Sequence, residues 1–448
     1  MTAKTPPDAR SILRSYYGLA GMYTLAASVI WGVNTLFMLD AGLGIAEVFI
    51  ANAAFSAGMV IFEIPTGVVA DTLGRRTSFL LSVAVLAITT LMYVGLARID
   101  GNLLAWSAVS VLMGLGFTFY SGAVEAWLVD ALHTTGFDGQ LDDVFARGQM
   151  VTGGAMLVGT VGGGILGSIN LSVPYVVRSA MLVLLFVVAY GRMHDIGFTP
   201  HRVAVGELPA AMRSIAAAGV TYGWRQRPLR FLMLASLVQS GFLYWGFYAW
   251  QPYFLDLLER DAVWVAGVVS ALISISTIAG NLVVEWFTRF CGRRTTLLLW
   301  AAGLQTLGAV VVGLTSSFWI AVGALMVVMA ATGVSGPVRA AYMHHIIPTE
   351  QRATVVSFDS MVAGVGGTGA QAGLGALAQV QSFSAGYIVG GAATVIAVPL
   401  LAAMRGMHND ADLIVGRKAA LGGTCAADGL PLVAAVESHS RDTITTGS

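Results

Sequence analysis

Apolar runs of about twenty residues, separated by short polar breaks, fill the chain from Tyr17 to Arg405. A membrane-crossing helix needs about 20 mostly apolar residues. Read with that window, the pattern predicts an all-α membrane protein with twelve spans. They lie near 17–39, 45–70, 78–97, 103–131, 148–170, 174–192, 230–255, 263–288, 295–314, 318–342, 353–379 and 384–405. The longest internal polar stretch, 193–229, reads as a cytoplasmic linker with an Ala-rich helical part around 207–220. It divides two six-helix halves, 17–192 and 230–405. Residues 1–16 form a polar N-terminal segment, followed directly by a run long enough to span, so no cleavable leader is expected. The tail, 406–448, is rich in Ala, Gly, Ser and Thr without apolar periodicity, and disorder is expected from about 408.

Composition agrees: 56% of the 448 residues are hydrophobic and 11% charged, with a mean hydropathy of +0.76. Soluble domains carry about 25% charged residues. Zero net charge leaves no basic footprint for a nucleic acid. The basic residues sort by side. Arg75, Arg76, Arg147, the central arginine cluster (Arg192, Arg202, Arg213, Arg225, Arg227 and Arg230), Arg289, Arg293, Arg294, Arg352, Arg405, Arg417 and Lys418 fall on one side. Only Arg98 and Arg260 are assigned to the loops of the other. The positive-inside rule then puts both termini in the cytoplasm of a multi-pass protein of the cell membrane. Cys291 and Cys425 both fall on the cytoplasmic side, so no disulfide framework is implied.

The chain is not expected to be an enzyme. Its lysines, Lys4 and Lys418, follow no Gly-rich phosphate loop, and neither a zinc-type His-Glu-x-x-His nor a Gly-x-Ser-x-Gly turn occurs. No metal or cofactor is expected. His344 and His345 are adjacent, so they do not share a helix face, and read as surface or interface residues.

The stretch Phe62–Arg76, FEIPTGVVADTLGRR, is organised differently from an ordinary loop. Spacing of four puts Glu63, Gly67 and Asp71 on one helix face. A glycine there admits a second helix at close range. Asp71 then stands where the helix leaves the membrane, beside Gly74, Arg75 and Arg76. Carboxylate, basic partners and a close contact together can make a lock that forms and breaks. The pattern Gly67-x-x-x-Asp71-x-x-Gly74-Arg75-Arg76 resembles the loop signature between the second and third helices of major facilitator superfamily transporters. Gly-Arg-Arg recurs at Gly292–Arg294, and Arg147 opening the fifth span is echoed by Arg352 opening the eleventh. Such duplication suits a transporter built from repeats, with the substrate near the midplane. In the second copy Arg289 replaces Asp71 and Glu285 replaces Gly67, so the lock should be strongest in the first half.

The resemblance implies further features. Spans 5 and 11, dense in glycine, should pack against spans 8 and 2 of the other half, and Asp130 should pair with Arg75. Gly159–Gly164 resembles in part the fifth-helix signature of the superfamily's drug antiporters, with Thr160 where those have proline. A second antiporter signature, an arginine in the fourth helix, is replaced by Ser110. Spans 1, 4, 7 and 10 should line the cavity. Trp31 and Asn34, then Met113, Phe117 and Tyr120, then Gln239, Tyr244, Tyr248 and Gln251, and finally Arg339 are its candidate lining. Aromatics and methionine with few polar groups suit a bulky, largely apolar organic compound better than a sugar. Trp106 and Trp250 fit an interfacial aromatic belt.

Charged groups inside a membrane are costly, and each is a functional candidate. Glu63 lies on a span 2 stripe with Asn52, Ser56 and Met59 that should face span 11, where Asp359 is a second carboxylate. Desolvation penalises a carboxylate's charged form, which suits a proton carrier. Both are proton-coupling candidates, as is Glu125, for which a structural role at the inner end of span 4 is the competing reading. Arg339 is expected either to pair with Glu285 or to meet a substrate anion. The whole suggests a monomeric secondary transporter in the lipid bilayer, exporting a small organic compound in exchange for protons. Uptake by symport, facilitated diffusion, or a non-transporting receptor or scaffold on the same fold are the alternatives.

Overall fold

The computed structural model describes residues 8–414 except 138, 199–209, 211–212, 215–216, 218, 260–261 and 349–350. Most of the Ala-rich linker segment, Lys4, Arg202, Arg260, Arg417, Lys418 and Cys425 lie outside the described residues. Helices account for nearly everything else, and no strand occurs among the described residues.

The first half comprises α1 (Ala9–Ser28), α2 (Asn34–Asp40), α3 (Ile45–Leu73), α4 (Arg75–Arg98), α5 (Leu103–Tyr120), α6 (Ala123–Thr134), α7 (Leu141–Ile169) and α8 (Val173–Arg192). The second comprises α9 (Arg227–Leu258), α10 (Val263–Phe290), α11 (Arg294–Leu314), α12 (Phe318–Ile346), α13 (Arg352–Val380), α14 (Phe383–Ala393) and α15 (Ala397–Gly406). Ten stretches are long and apolar enough to cross a membrane. The broken pair α1–α2 and the glycine-rich α13 complete twelve.

Three expected spans are discontinuous: span 1 breaks at 29–33, span 4 at Ser121–Gly122, and span 12 passes through a short 3-10 turn, Thr394–Ile396. Gly122 takes φ +71°, which lets the chain turn between α5 and α6. The first helix also starts at Ala9 rather than near Tyr17, because Ile12 and Tyr16 pack into the core of the half. Trp106 and Trp250 are core residues, not an interfacial belt. Trp106 packs edge-on against Phe37 and Tyr93, and Trp250 against Phe254.

The duplication is visible in packing. Within the first half α3 packs on α5, α1 on α7 and α4 on α8; the second repeats this with α10 on α12, α9 on α13 and α11 on α14. The halves meet through α3 with α13 and α7 with α10, the pairs expected. Gly164 and Gly267 make the second contact: a Cβ on Gly164 would lie 2.7 Å from the Cα of Gly267.

Each Gly-Arg-Arg triplet is held by an aspartate that follows the last span of its half. Gly74 has φ +104°, and an added Cβ would strike the Asp195 carboxylate. Asp195 Oδ1 accepts from the Arg76 backbone N–H at 2.8 Å, and Arg76 Nη2 donates to the Tyr190 carbonyl at 2.8 Å. In the second half Asp412 accepts from the Thr295 N–H at 2.7 Å and from its hydroxyl at 2.9 Å. Arg294 Nη1 donates to the carbonyls of Ala411 and Leu413 at 2.6 and 2.9 Å. A carboxylate at a helix N-terminus satisfies N–H groups that the helix cannot. The tail up to Ile414 is therefore ordered, against the expectation of disorder from 408, because Asp412 docks as a cap.

Asp412→Ala should lower unfolding stability by about 1–3 kcal/mol, the cost of stranding buried donors. Asp410→Ala, at an exposed position, should leave the melting temperature unchanged; equal effects would refute the cap.

Candidate substrate cavity

The break in span 1 exposes backbone that a continuous helix would satisfy. Gln251, fully buried in α9, takes both ends of it. Its Nε2 donates to the Trp31 carbonyl at 2.8 Å, and its Oε1 accepts from the Thr35 N–H at 2.9 Å. The Thr35 hydroxyl donates to the Tyr248 carbonyl at 2.9 Å. Nearby, Gln379 Oε1 accepts from the Ala46 N–H at 3.2 Å, and the Ser56 hydroxyl donates to Gln371 at 3.0 Å. Phe49 stacks near Trp245 with centroids 5.8 Å apart. These contacts all join the two halves, and they close the bundle at the end away from the Gly74 loop.

At the loop end the halves part. Gly67 is exposed, and a Cβ there would meet no heavy atom within 4 Å. The close helix approach expected at Gly67 is thus absent in this conformation. Arg75 pairs with Asp71 at 2.7 Å, across the Gly74 turn, rather than with Asp130. The pair four residues apart forms locally, whereas Asp130 lies on α6, where it is only half-buried.

Between these ends lie two adjoining cavities. The larger, about 590 Å³, is lined by Met59, Glu63, Phe117, Tyr120, Glu125 and Tyr244, with Ser357 and Ser360 of α13. The break in span 4 shapes it: the Ser121 hydroxyl donates to Glu63 Oε1 at 3.3 Å, and Glu125 stands one turn further on. No basic side chain lies within ion-pair distance of Glu63 among the described residues. One Glu125 oxygen, Oε2, is buried without a hydrogen-bond partner. The smaller cavity, about 240 Å³, lies beneath the closed end and holds Trp31, Asn34, Met113, Phe117 and Tyr248. Met59 and Phe117 border both.

The remaining expected residues lie elsewhere. Gln251 is part of the closed end, not of the cavity wall. Gln239 and Arg339 line a third cavity of about 150 Å³ inside the second half. There Gln239 donates to Gln305 at 2.9 Å, which donates to Thr332 at 3.0 Å. Arg339 forms its ion pair with Asp359 of α13, not with Glu285, which is exposed on α10. Asp359 accordingly does not face Glu63; the rotation of α13 turns Ser357 and Ser360 toward the larger cavity and Asp359 toward α12.

One buried charge escaped the sequence reading. Arg178 lines the smaller cavity at 0% exposure. In PYVVRSAMLVLL it is the lone charge, which a hydropathy average absorbs. Its signal was the intramembrane charge itself.

The Major Facilitator Superfamily model matches residues 17–289 of the chain. The chain belongs to this superfamily. It is a multi-pass membrane transporter of that type and not an enzyme. Among solved structures, the nucleoside transporter NupG has a TM-score of 0.72 at 13% identity, over 88% of this chain and 98% of its own. The POT family transporter PepTSo scores 0.66 at 13% identity, over 91% and 100%. The human organic anion transporter MFSD10 scores 0.60 at 14% identity, over 88% and 100%. At such identities the likeness concerns the fold alone. No curated protein matches the sequence.

The two ends should differ chemically. With Cys291 and Cys425 replaced by serine, Gly67→Cys should react quickly with a maleimide. Thr35→Cys, at a position 1% exposed, should react at least ~10-fold more slowly. Equal labelling would show that the far end is not closed.

Proposed function

We propose that this transporter exports a small, largely apolar organic compound by alternating access, in exchange for protons. The observation that carries the reading is Glu63, which faces the open cavity with a hydroxyl donor and no cationic partner. A carboxylate so placed can bind a proton from one side and lose it to the other as the cavity changes face. That difference in binding converts a gradient into a bias between conformations. The basic asymmetry of the loops supports cytoplasmic termini and therefore a cavity open to the cytoplasm, in the cell membrane. Closing it would bring a helix onto Gly67 and remodel the Asp71–Arg75 pair, the role proposed for the lock. Aromatic and methionine walls support a substrate of mainly apolar surface.

Uptake by symport is the second reading. The same carboxylate and gates would serve either direction, and two structural neighbours are named as a nucleoside transporter and a POT family transporter. A receptor or scaffold would need neither a divided cavity nor an uncompensated carboxylate.

Proteoliposomes with an imposed pH gradient and a panel of dyes and drugs distinguish these readings. Glu63→Gln mimics the protonated form. It should abolish gradient-driven accumulation while leaving binding and downhill exchange largely intact. Full pH-driven accumulation by the variant would assign Glu63 a structural role and leave Glu125 as the next carboxylate to test.

A further inference from the structure

Arg178 stands in α8 with its guanidinium against apolar groups. Nη1 lies 3.9 Å from Met113 Sδ, and the cation is 5.9 Å from the centre of the Phe117 ring. Nε and Nη2 are buried and have no hydrogen-bond partner. The ionisable side chains facing it are Tyr23, Tyr93, Tyr175 and Tyr248. No carboxylate lies within ion-pair distance of it among the described residues. Arginine stays protonated in proteins, so the charge persists when the cavity is empty. Charges at such depth are almost always paired.

A second donor looks into the same space. Asn52 Nδ2 is buried without a partner, while its Oδ1 accepts from Asn34 Nδ2 at 3.1 Å. Asn34 Oδ1 in turn accepts from the Tyr175 hydroxyl at 2.9 Å. Both asparagine carbonyls thus accept a hydrogen bond, and the buried groups left over are the N–H donors of Arg178 and Asn52 and the neutral Tyr23 hydroxyl. Such a site lacks an acceptor that carries negative charge. Around the donors, Trp31, Phe55, Phe117, Phe247 and Tyr248 form an aromatic wall.

We propose that the smaller cavity binds the carboxylate of an aromatic organic anion, so that the transported compound is of that class. The inference rests on the transporter reading above and specifies its substrate. Arg178 and Asn52 hold the anionic head beneath the closed end. The aromatic body extends past Met59 and Phe117 toward the larger cavity. There Glu63 and Glu125 disfavour the reverse orientation, because like charges would meet in a low-dielectric site.

Binding of benzoate, its neutral isostere benzamide, and chloride is measured on the purified full-length protein. The wild type should bind benzoate at least ~10-fold more tightly than benzamide, the effect of one charge-assisted hydrogen bond. Arg178→Gln and Arg178→Met should bring the two ligands to equal affinity without weakening benzamide. Equal affinities in the wild type, or no benzoate binding, overturn the proposal even if neither variant folds. So does a benzoate preference that survives in Arg178→Gln, or stabilisation by chloride alone equal to that by benzoate. In proteoliposomes the two readings separate. Transport of neutral dyes without a benzoate preference sinks only the anion site. Benzoate binding through Arg178 with no transport of any compound sinks only the transport reading.

Discussion

The closed end depends on how one side chain satisfies a broken backbone. Inside a membrane every N–H and C=O needs a partner within the protein, because lipid supplies none. Span 1 gives up its helical bonds around 29–33, and Gln251 from the other half replaces them in both senses, donating to Trp31 and accepting from Thr35. The break and its repair are inseparable. A gap in span 1 without Gln251 would leave stranded polar groups at depth, and Gln251 without the gap would be a buried amide with nothing to bind. Because the repair crosses between halves, it also fixes which end of the bundle is shut. The smaller cavity lies beneath it, and the exposed Gly67 face and the local Asp71–Arg75 pair stand at the opposite end.

Much of the architecture was legible because hydropathy is a direct reading of the solvent. Apolar runs marked the spans, and the repeated Gly-Arg-Arg marked the two halves. The breaks were not legible. Ile30–Gly32 and Ser121–Gly122 carry no proline and no charge, and their glycines are no different in sequence from the many that stay helical in this chain, so the breaks do not stand out locally. They persist because side chains distant in sequence satisfy them, and that information lies in the packing. The same limit governs the pairs. Arg339 stands out in the sequence as a charge within a span, but its partner depends on the rotation of α13, and Asp359 rather than Glu285 is on the right side. Glu63 and Tyr244 fell where expected because a polar stripe fixes a face. Gln239 and Gln251 did not, because an amide is at home in a cavity, a core or a gate.

The two cavities divide the chemistry of the molecule. Carboxylates stand at the open end of the interior and an arginine at the closed end, with aromatic surface between them. Such a separation of charge across an apolar neck is expensive to maintain in a membrane, and it costs stability that a purely structural interior would not sacrifice. The third cavity, around Gln239 and Gln305, is by contrast a neutral amide and hydroxyl chain beside a closed ion pair. Its polar groups are spent on one another.

The twin aspartates have a consequence for how the chain is made. Asp195 lies just past the sixth span, so when the ribosome has delivered it, the first half already holds the carboxylate that caps α4. The second half reaches the equivalent point only at Asp412, beyond its last span. Between the end of α15 and that residue, the N-terminus of α11 must wait with open donors while the polypeptide is still being extended. A reporter protein fused immediately after Gly406 would hold the second half permanently in that unfinished condition, whereas a junction placed beyond Ile414 would allow it to finish.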